Sequence, residues 1–541
     1  MGKSIIRTIL LVFFAILCSS CYGQSVIRVS PSGNDANDGS SWTSAKKTIQ
    51  AGIDAASNGG GGEIWVAAGI YNERIAIKVY CYLYGGFAGT ENTRSQRNFS
   101  VNKSILDGSD SGPIVSSTSG ISTLACIDGF MIRNSGDCTY AIDCNYSSPA
   151  IANNTILGRG GGIKCNFSNS TIINNTISNY SIYSSSGINC YSSSPTIINN
   201  TITVNKYGIY CSSSSPTIVN NIVAYNGNGI SKGGGTPIPN HNETPILNHN
   251  CVYGNTTNYS GIIAGPTDIS AAPKFRDDFR GSANGDFHLL SDSPCIDSGD
   301  DTVIGADWLD MDGEARIAGS HVDIGSDECV VRNAGPGEAK QLGCPAYVRL
   351  NNVVVSAVFS GFYYVQDIER ACGIRITQVR GNMPQFGNIV SVSGIPSTSS
   401  DGERCLSSYE NIIPTGQKTA LPLFVACKFI GGGDYGYDPA AGFGQKGIAG
   451  ASGLNNIGLL VTVCGKIMSI DTTAKRLYVS DGSAMVAVYY GSIALPESVS
   501  EGSMVRVTGA CSCYKLENGD LGRLIILKDA QSIAPVEFVQ Q

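Results

Sequence analysis

From Ala141 to Ile230 one arrangement of apolar and polar positions returns four times. The segments are Ala141-Ile-Asp-Cys144, Gly162-Ile-Lys-Cys165, Gly187-Ile-Asn-Cys190 and Gly208-Ile-Tyr-Cys211. Each is followed by Ser-rich residues and then by an Asn pair: Asn153-Asn154, Asn174-Asn175, Asn199-Asn200 and Asn220-Asn221. Both series step by 21, 25 and 21 residues, and the longer step holds an insertion around 180–186. A fixed period in this range is the mark of a solenoid. Within each segment Ile and Cys stand two apart, which places them on one face of a strand. The Thr-Ile-Ile-Asn-Asn-Thr-Ile stretches alternate in the same way and are rich in β-branched residues. No helical i, i+3, i+4 stripe is present. Three short strands with turns fit into one period at about 3.3 Å per residue.

The pattern therefore predicts a parallel β-helix in which equivalent residues stack from coil to coil. Ile142, Ile163, Ile188 and Ile209 form one inward column, and Cys144, Cys165, Cys190 and Cys211 a second. Asn154, Asn175, Asn200 and Asn221 form an amide ladder that satisfies backbone groups at the turns. A buried Cys acts as a small hydrophobe, so the cysteine column reads as reduced core thiols. Disulfides between neighbouring coils are the alternative, disfavoured by the dihedral they need.

The flanking sequence carries a resemblance. Val29-Ser-Pro-Ser-Gly-Asn-Asp-Ala-Asn-Asp-Gly-Ser-Ser-Trp42, Thr48–Ala56, Gly62–Glu73, Tyr84–Glu91 and Ile105–Gly108 resemble the opening of secreted bacterial right-handed parallel β-helix proteins of the pectate-lyase-like superfamily. That resemblance implies a short helix over Thr48–Ala56 that caps the first coil. Ser293–Asp300, Asp310–Arg316 and Val322–Gly325 resemble the segment that closes such helices. The likeness spans about residues 25 to 328 and speaks for fold and secretion, not for activity, because the scaffold hosts many functions.

The N-terminus fits export. Lys3 and Arg7 precede an apolar run from Ile9 to Leu17, and small residues follow, so residues 1–23 read as a signal peptide cleaved after Gly23. Lipid attachment at Cys21 is the alternative; Cys18 stands where its recognition pattern wants Leu. Nineteen cysteines, less Cys18 and Cys21 in the leader, leave seventeen.

Charge narrows the function. Only 15% of residues are charged and the net charge is -7, which excludes a coiled coil and gives no basic footprint for nucleic acid. Polysaccharide hydrolysis needs two facing carboxylates, and lyase chemistry a base with a charge stabiliser such as Ca²⁺. Between Ala141 and Ile230 the one carboxylate is Asp143, an outward neighbour of Lys164. If the protein is an enzyme, a lyase or glycoside hydrolase, its catalytic candidates are Asp107, Asp110, Asp128, Arg133 and Asp143, with Asp137 beside them. The bland reading makes these acids turn residues. Asp310 and Asp312 are metal candidates with a Ca²⁺-loop flavour, but the full loop pattern is missing. A structural turn in which Arg316 pairs with a nearby Asp is preferred, and no cofactor is expected. His241 and His249, near Glu243 and Cys251, match no zinc spacing and read as ladder positions. Aromatics lead elsewhere. Tyr183, Tyr191, Tyr207 and Tyr210 on a Ser/Asn-rich sheet suit carbohydrate binding, since rings stack on sugar CH groups and amides bond hydroxyls.

After a linker at 329–345 the pattern changes to two related sets of period-2 strands, at 346–430 and 456–541, joined by a Gly-rich stretch at 431–455. They resemble small OB-fold barrels. With acids and bases nearly balanced there, nucleic acid is not expected. The reading is an all-β, monomeric, exported protein, with the β-helix over 24–328, that binds or displays on polysaccharide. An enzyme and a purely structural envelope protein are the alternatives.

Overall fold

Nine apolar side chains stack in one column along the β-helix: Ile27, Ile64, Leu83, Ile127, Ile151, Ile172, Ile197, Ile218 and Leu247. Each sits at the middle of a short strand that pairs in parallel with the next. The computed structural model describes residues 25–536 except 118–119, 121–123, 137–138, 234–243, 278–284, 344–345, 380–381, 409–413 and 441. The side chains of 179–184 also lie outside the description. The leader with Cys21, Asp137, His241, Glu243 and the ring of Tyr183 therefore fall outside it.

Three parallel faces wrap the core. The first carries the column above. The second stacks Tyr71, Leu106, Ile132, Ile156, Ile177, Ile202, Val223 and Val252 inward. The third stacks Ile142, Ile163, Ile188, Ile209 and Ile230 beside Cys144, Cys165, Cys190 and Cys211. These cysteines are free thiols, at most 1% exposed. The 25-residue step is absorbed at one corner, where Thr176–Tyr191 runs on as a single strand with register shifts after Ser178 and Ser181.

Corners are held by side-chain ladders. Asn154, Asn175, Asn200, Asn221 and Asn250 each accept at Oδ1 from the backbone N–H of the coil before, and each amide except Asn154's also takes the preceding amide's Nδ2–H. Asp268 ends the ladder: its Oδ1 accepts from Asn250 N and Nδ2, and a carboxylate has no N–H to pass on. A second ladder, Asn205–Asn226–Asn255–Asn258, holds the next corner. The partner of each ladder Asn in the Asn pairs, Asn153, Asn174, Asn199 and Asn220, has φ of 54 to 57°. Asn tolerates that left-handed conformation better than most residues.

The N-terminal end of the core is capped by a helix, α1, at Ile49–Asn58. Thr48 caps it, accepting from Ala51 N at 3.2 Å, and Ile49, Ile53 and Ala56 seal the first coil with no exposed surface. The segment after the last coil differs from the expectation. Instead of closing the far end, residues 293–328 run back along the outside of the coils as a strap. Asn174 Nδ2 donates to Leu309 O, Asn199 Nδ2 to Asp323 O and Asn220 Nδ2 to Asp300 O. Val303 and Trp308 pack over Ile173, Ile198 and Val219 on the outer side of the first face. The physical reason is that those outward positions are apolar and would otherwise face water. The far end is finished by the turn at 261–269, with Tyr259 and Ile262 against the core.

The second unit spans Val330–Gln541 and holds two closed five-stranded barrels. In the first, Tyr347–Phe359, Phe362–Gln366, Gly373–Thr377, Asn388–Thr398 and Arg404–Ser407 close in the order 1-2-3-5-4-1. Leu460–Asp471, Arg476–Ser480, Met485–Tyr489, Met504–Lys515 and Leu521–Ile526 repeat that order in the second. The stretch expected as linker is structured: Val331–Ala334 pairs in parallel with the first barrel strand and Pro336–Gln341 is a helix, α2. Leu423–Phe424 meets the second barrel in the same way. The Gly-rich joint contains the small sheet Tyr435–Asp438/Phe443–Gln445.

Candidate functional site

The outer side of the third face is the surface where sequence and geometry meet. Its central outward row is Ser116, Asp143, Lys164, Asn189, Tyr210, Ser231 and Ser260. Asp143 Oδ2 lies 3.6 Å from Lys164 Nζ, both side chains about a third exposed. An ion pair of that kind contributes little stability. Asn189 Nδ2 donates to Tyr140 OH at 2.8 Å. Tyr207 and Tyr210 stand with ring centroids 5.1 Å apart, and the Lys206 ammonium lies 5.5 Å from the Tyr207 centroid.

At the edge of this face three aromatic rings project into solvent. Tyr146 and Phe167 stack at 4.7 Å with 8° between planes, and Phe167 meets Tyr191 edge-on at 6.0 Å. They are 54%, 46% and 49% exposed, although stacking rings ordinarily gain by burial. Tyr146 and Phe167 hold φ of 53° and 50°, a region that bulky residues rarely enter. The next two coils place Ser192 and Ser213 at the equivalent corner, also at positive φ. Asn145 and Asn166 run beside the rings, Asn166 Nδ2 donating to Asn145 Oδ1 at 2.6 Å. The arrangement offers flat apolar faces flanked by amides and hydroxyls. Sequence reasoning singled out Tyr191, Tyr207 and Tyr210 but passed over Tyr146 and Phe167. The signal was present: each stands two residues after a column cysteine, 21 residues apart.

The acidic candidates do not assemble. Asp107 ends a strand of the second face and is tied to Arg133 at 2.9 Å, to Asn134 Nδ2 and to Ser109 N. Burial works to raise its pKa, but those bonds outweigh it and hold the carboxyl below its ordinary value. Asp128 lies on the first face, 4% exposed, paired with Arg97 at 2.8 Å and with Asn153 Nδ2. Asp110 is an exposed turn residue at φ 57°. Asp143 stands on the third face. Two of the four are already held by arginines, and they are spread over three faces and a turn.

A different acidic cluster lies where the strap returns. Asp310 is fully buried: Oδ1 accepts from Asp312 N and Glu314 N, and Oδ2 from Glu328 N. Burial pushes its carboxyl up to about 7. His288 is wedged between carboxylates, Nδ1 against Asp286 and Nε2 2.8 Å from Asp312 Oδ2. Burial alone would lower its pKa, but Asp327, Asp286 and Asp312 hold it well above the ordinary imidazole value. The donor atoms of His288, Asp312 and Asp327 lie within 4.8 Å of one another, as do those of Asp310, Asp312 and Glu314. These donors do not fit a resident cation. Both oxygens of Asp310 take backbone N–H groups, and both ring nitrogens of His288 face carboxylates. Arg316 departs from its expected role: it donates to the carbonyls of Asp323 and Gly325 and approaches Glu328 at 3.9 Å, not an Asp carboxylate. The burial of the site selects the backbone acceptors. His249 takes φ 51° at the position equivalent to Asn220.

Residues 114–271 match the family model for a right handed beta helix region. The described coils therefore form a right-handed β-helix. The crystal structure of pectate lyase Pel9A is 15% identical over 57% of this chain and 98% of its own, with a TM-score of 0.26. A likeness at that score says nothing of activity. No curated protein matches the chain.

In the second unit, one group of aromatics is packed at the junction of the two barrels. Phe359 and Phe362 stack at 4.9 Å, and the Arg375 guanidinium lies 3.9 Å from the Phe362 centroid. With Tyr364 they pack against Tyr478, Ala487, Ala510, Leu524 and Ile526 of the other barrel. Tyr364 OH and Ser512 Oγ both donate to the buried Glu403 across the same junction. No helix among the described residues is long and apolar enough to cross a membrane.

Proposed function

We propose that this is an exported, monomeric glycan-recognition protein whose ligand lies along the outer third face of the β-helix. The observation that carries the reading is the solvent-facing stack of Tyr146, Phe167 and Tyr191 beside an amide and hydroxyl strip. Aromatic faces stack on pyranose CH groups, and Asn side chains both donate to and accept from hydroxyls. Tyr146 and Phe167 are held at positive φ at the corners of stacked coils, so little is lost on binding. The tyrosine pair at Tyr207 and Tyr210 extends the platform by one coil. Recognition needs no Ca²⁺ in this reading, and the leader directs the chain outward with cleavage after Gly23. The two barrels, with the strand order of OB-folds, act as a spacer that carries the β-helix and bind no nucleic acid.

A glycan array on the full chain tests the proposal, with unsaturated and reducing ends assayed in the same wells. The expected result is binding without product. The double variant Tyr146→Ala/Phe167→Ala should weaken that binding at least tenfold, which corresponds to about 1.4 kcal/mol. Product release, or binding indifferent to both rings, overturns it.

A further inference from the structure

Two buried thiols meet where the strap layer covers the last coils. Cys251 lies on the outward row of the second face, in register with Ile222. Its neighbour Val252 points into the core, so Cys251 faces the layer above. Cys295 is in that layer, held by Ser293 Oγ on its N–H and by Ile324 N on its carbonyl. Both thiols are free, have no exposed surface and belong to the apolar cluster with Ile222, Phe275, Leu289 and Ile324; Cys251 Sγ donates to Ala271 O at 3.3 Å and stands near enough to Cys295 to push that thiol's pKa up, after burial itself. We infer that Cys251 and Cys295 are a disulfide site that staples the strap to the coil. The inference rests in part on the export reading, since disulfides persist in oxidising compartments.

The geometry distinguishes this pair from the other touching pair. Cys190 and Cys211 are also neighbours, but they are register partners on adjacent parallel strands. Parallel side chains on such strands keep roughly the 4.8 Å spacing of the strands, beyond the usual Cβ separation of about 3.8 Å in a disulfide. Cys251 and Cys295 instead come from two layers packed on each other, so the strand spacing does not set their separation. The cross-link also closes a long loop, from 251 to 295, where the constraint on the unfolded chain is large.

The chemistry is thiol–disulfide exchange with a glutathione-type disulfide as oxidant. One thiolate attacks the disulfide and releases one glutathione thiolate; the second cysteine, as its thiolate, displaces the other. Two thiols lose two protons and two electrons, and one oxidised glutathione becomes two reduced ones.

The test uses two preparations of the full chain: one made in a reducing cytosol and then equilibrated with oxidised and reduced glutathione, the other secreted under its own leader. Both are denatured in iodoacetamide, digested without reduction and read by mass spectrometry. The expected product is a joined peptide pair containing Cys251 and Cys295, with Cys144, Cys165, Cys190 and Cys211 alkylated. Alkylated Cys251 and Cys295 in both preparations overturn the site, as does a Cys190–Cys211 bond in their place. If the bond forms with glutathione while the second preparation stays in the cytosol with its leader intact, the export reading fails and the site stands. Cys295→Ser is the second measurement. It should lower the unfolding midpoint of the oxidised chain much more than that of the chain kept in dithiothreitol; an equal loss in both would mean packing alone and overturn the staple.

Discussion

The outer sides of the first and third faces start from the same inner core and end in opposite roles. Inward, both present unbroken columns of Ile and Leu, none more than 9% exposed. Outward, the first face offers Ala152, Ile173, Ile198 and Val219, and the strap lays Val303 and Trp308 on them. The third face offers Asp143, Lys164, Asn189 and Tyr210, all part-exposed, while Ser231 at the end of the row is buried. An apolar outward row is a docking strip within the molecule; a polar and aromatic one is left for a ligand. In a solenoid, then, the inside reports the fold and the outside reports the contacts.

The comparison can be broken most forcefully from the part both faces share. Asn200 joins three coils: its amide donates to Ile172 O, Ile198 O and Asn221 Oδ1 and accepts from Asn175. Asn200→Leu leaves several of these buried groups unpaired. Each costs about 1–3 kcal/mol, so a loss of at least about 3 kcal/mol is expected in denaturant unfolding. A change within 1 kcal/mol would mean the ladder is not what holds the corner.

Next comes the covered face alone. Trp308 is 7% exposed. Trp308→Ala should cost about 3–5 kcal/mol, read as early release of the strap in hydrogen exchange while the coils beneath stay protected. Coils and strap opening together would show one cooperative unit instead.

The strap should also respond to pH while the third face does not. Burial pushes Asp323 up to about 6, Asp310 to about 7 and Glu328 to about 8. In the unfolded chain these carboxyls ionise near about pH 4. His288 is likewise held above its ordinary value. The folded state thus keeps more protons than the unfolded one between about pH 4 and 8, and stability falls as pH rises through that window. Thermal melting at pH 5 and pH 8 checks the sign. A strap that melts higher at pH 8 would contradict it.

The smallest effect on stability belongs to the open face. Tyr210→Ala should change unfolding by no more than about 0.5 kcal/mol, as surface substitutions do, while weakening glycan binding. A large loss of stability without loss of binding would reverse the assignment of the two faces.

Much of the β-helix was legible because a repeat states its own contacts. The 21-residue step puts Ile163 over Ile142 and Cys165 over Cys144, and the register follows. The second member of each Asn pair was read as the ladder, and it stacks as expected. Of the first members, all at positive φ, Asn174, Asn199 and Asn220 hold the strap, a role no period announces, since Leu309 and Asp323 lie more than a hundred residues from Asn174 and Asn199. In the barrel unit the period-2 pattern marks both barrels, but Arg404–Ser407 is short and fully buried, so it lacks the alternation that marks a half-buried strand.

The sequence by itself determined the coil, its inward columns and the first ladder. Those depend on neighbours at a constant spacing, which the chain writes down at every turn. Only the tertiary structure decided which outward face is covered, that Asp107, Asp128 and Asp143 lie apart, that Asp286, His288, Asp312 and Asp327 come together, and that Tyr146 and Phe167 stack beside Tyr191. Outward side chains meet whatever the chain later lays over them, and that meeting is set by the packing of distant segments rather than by local period.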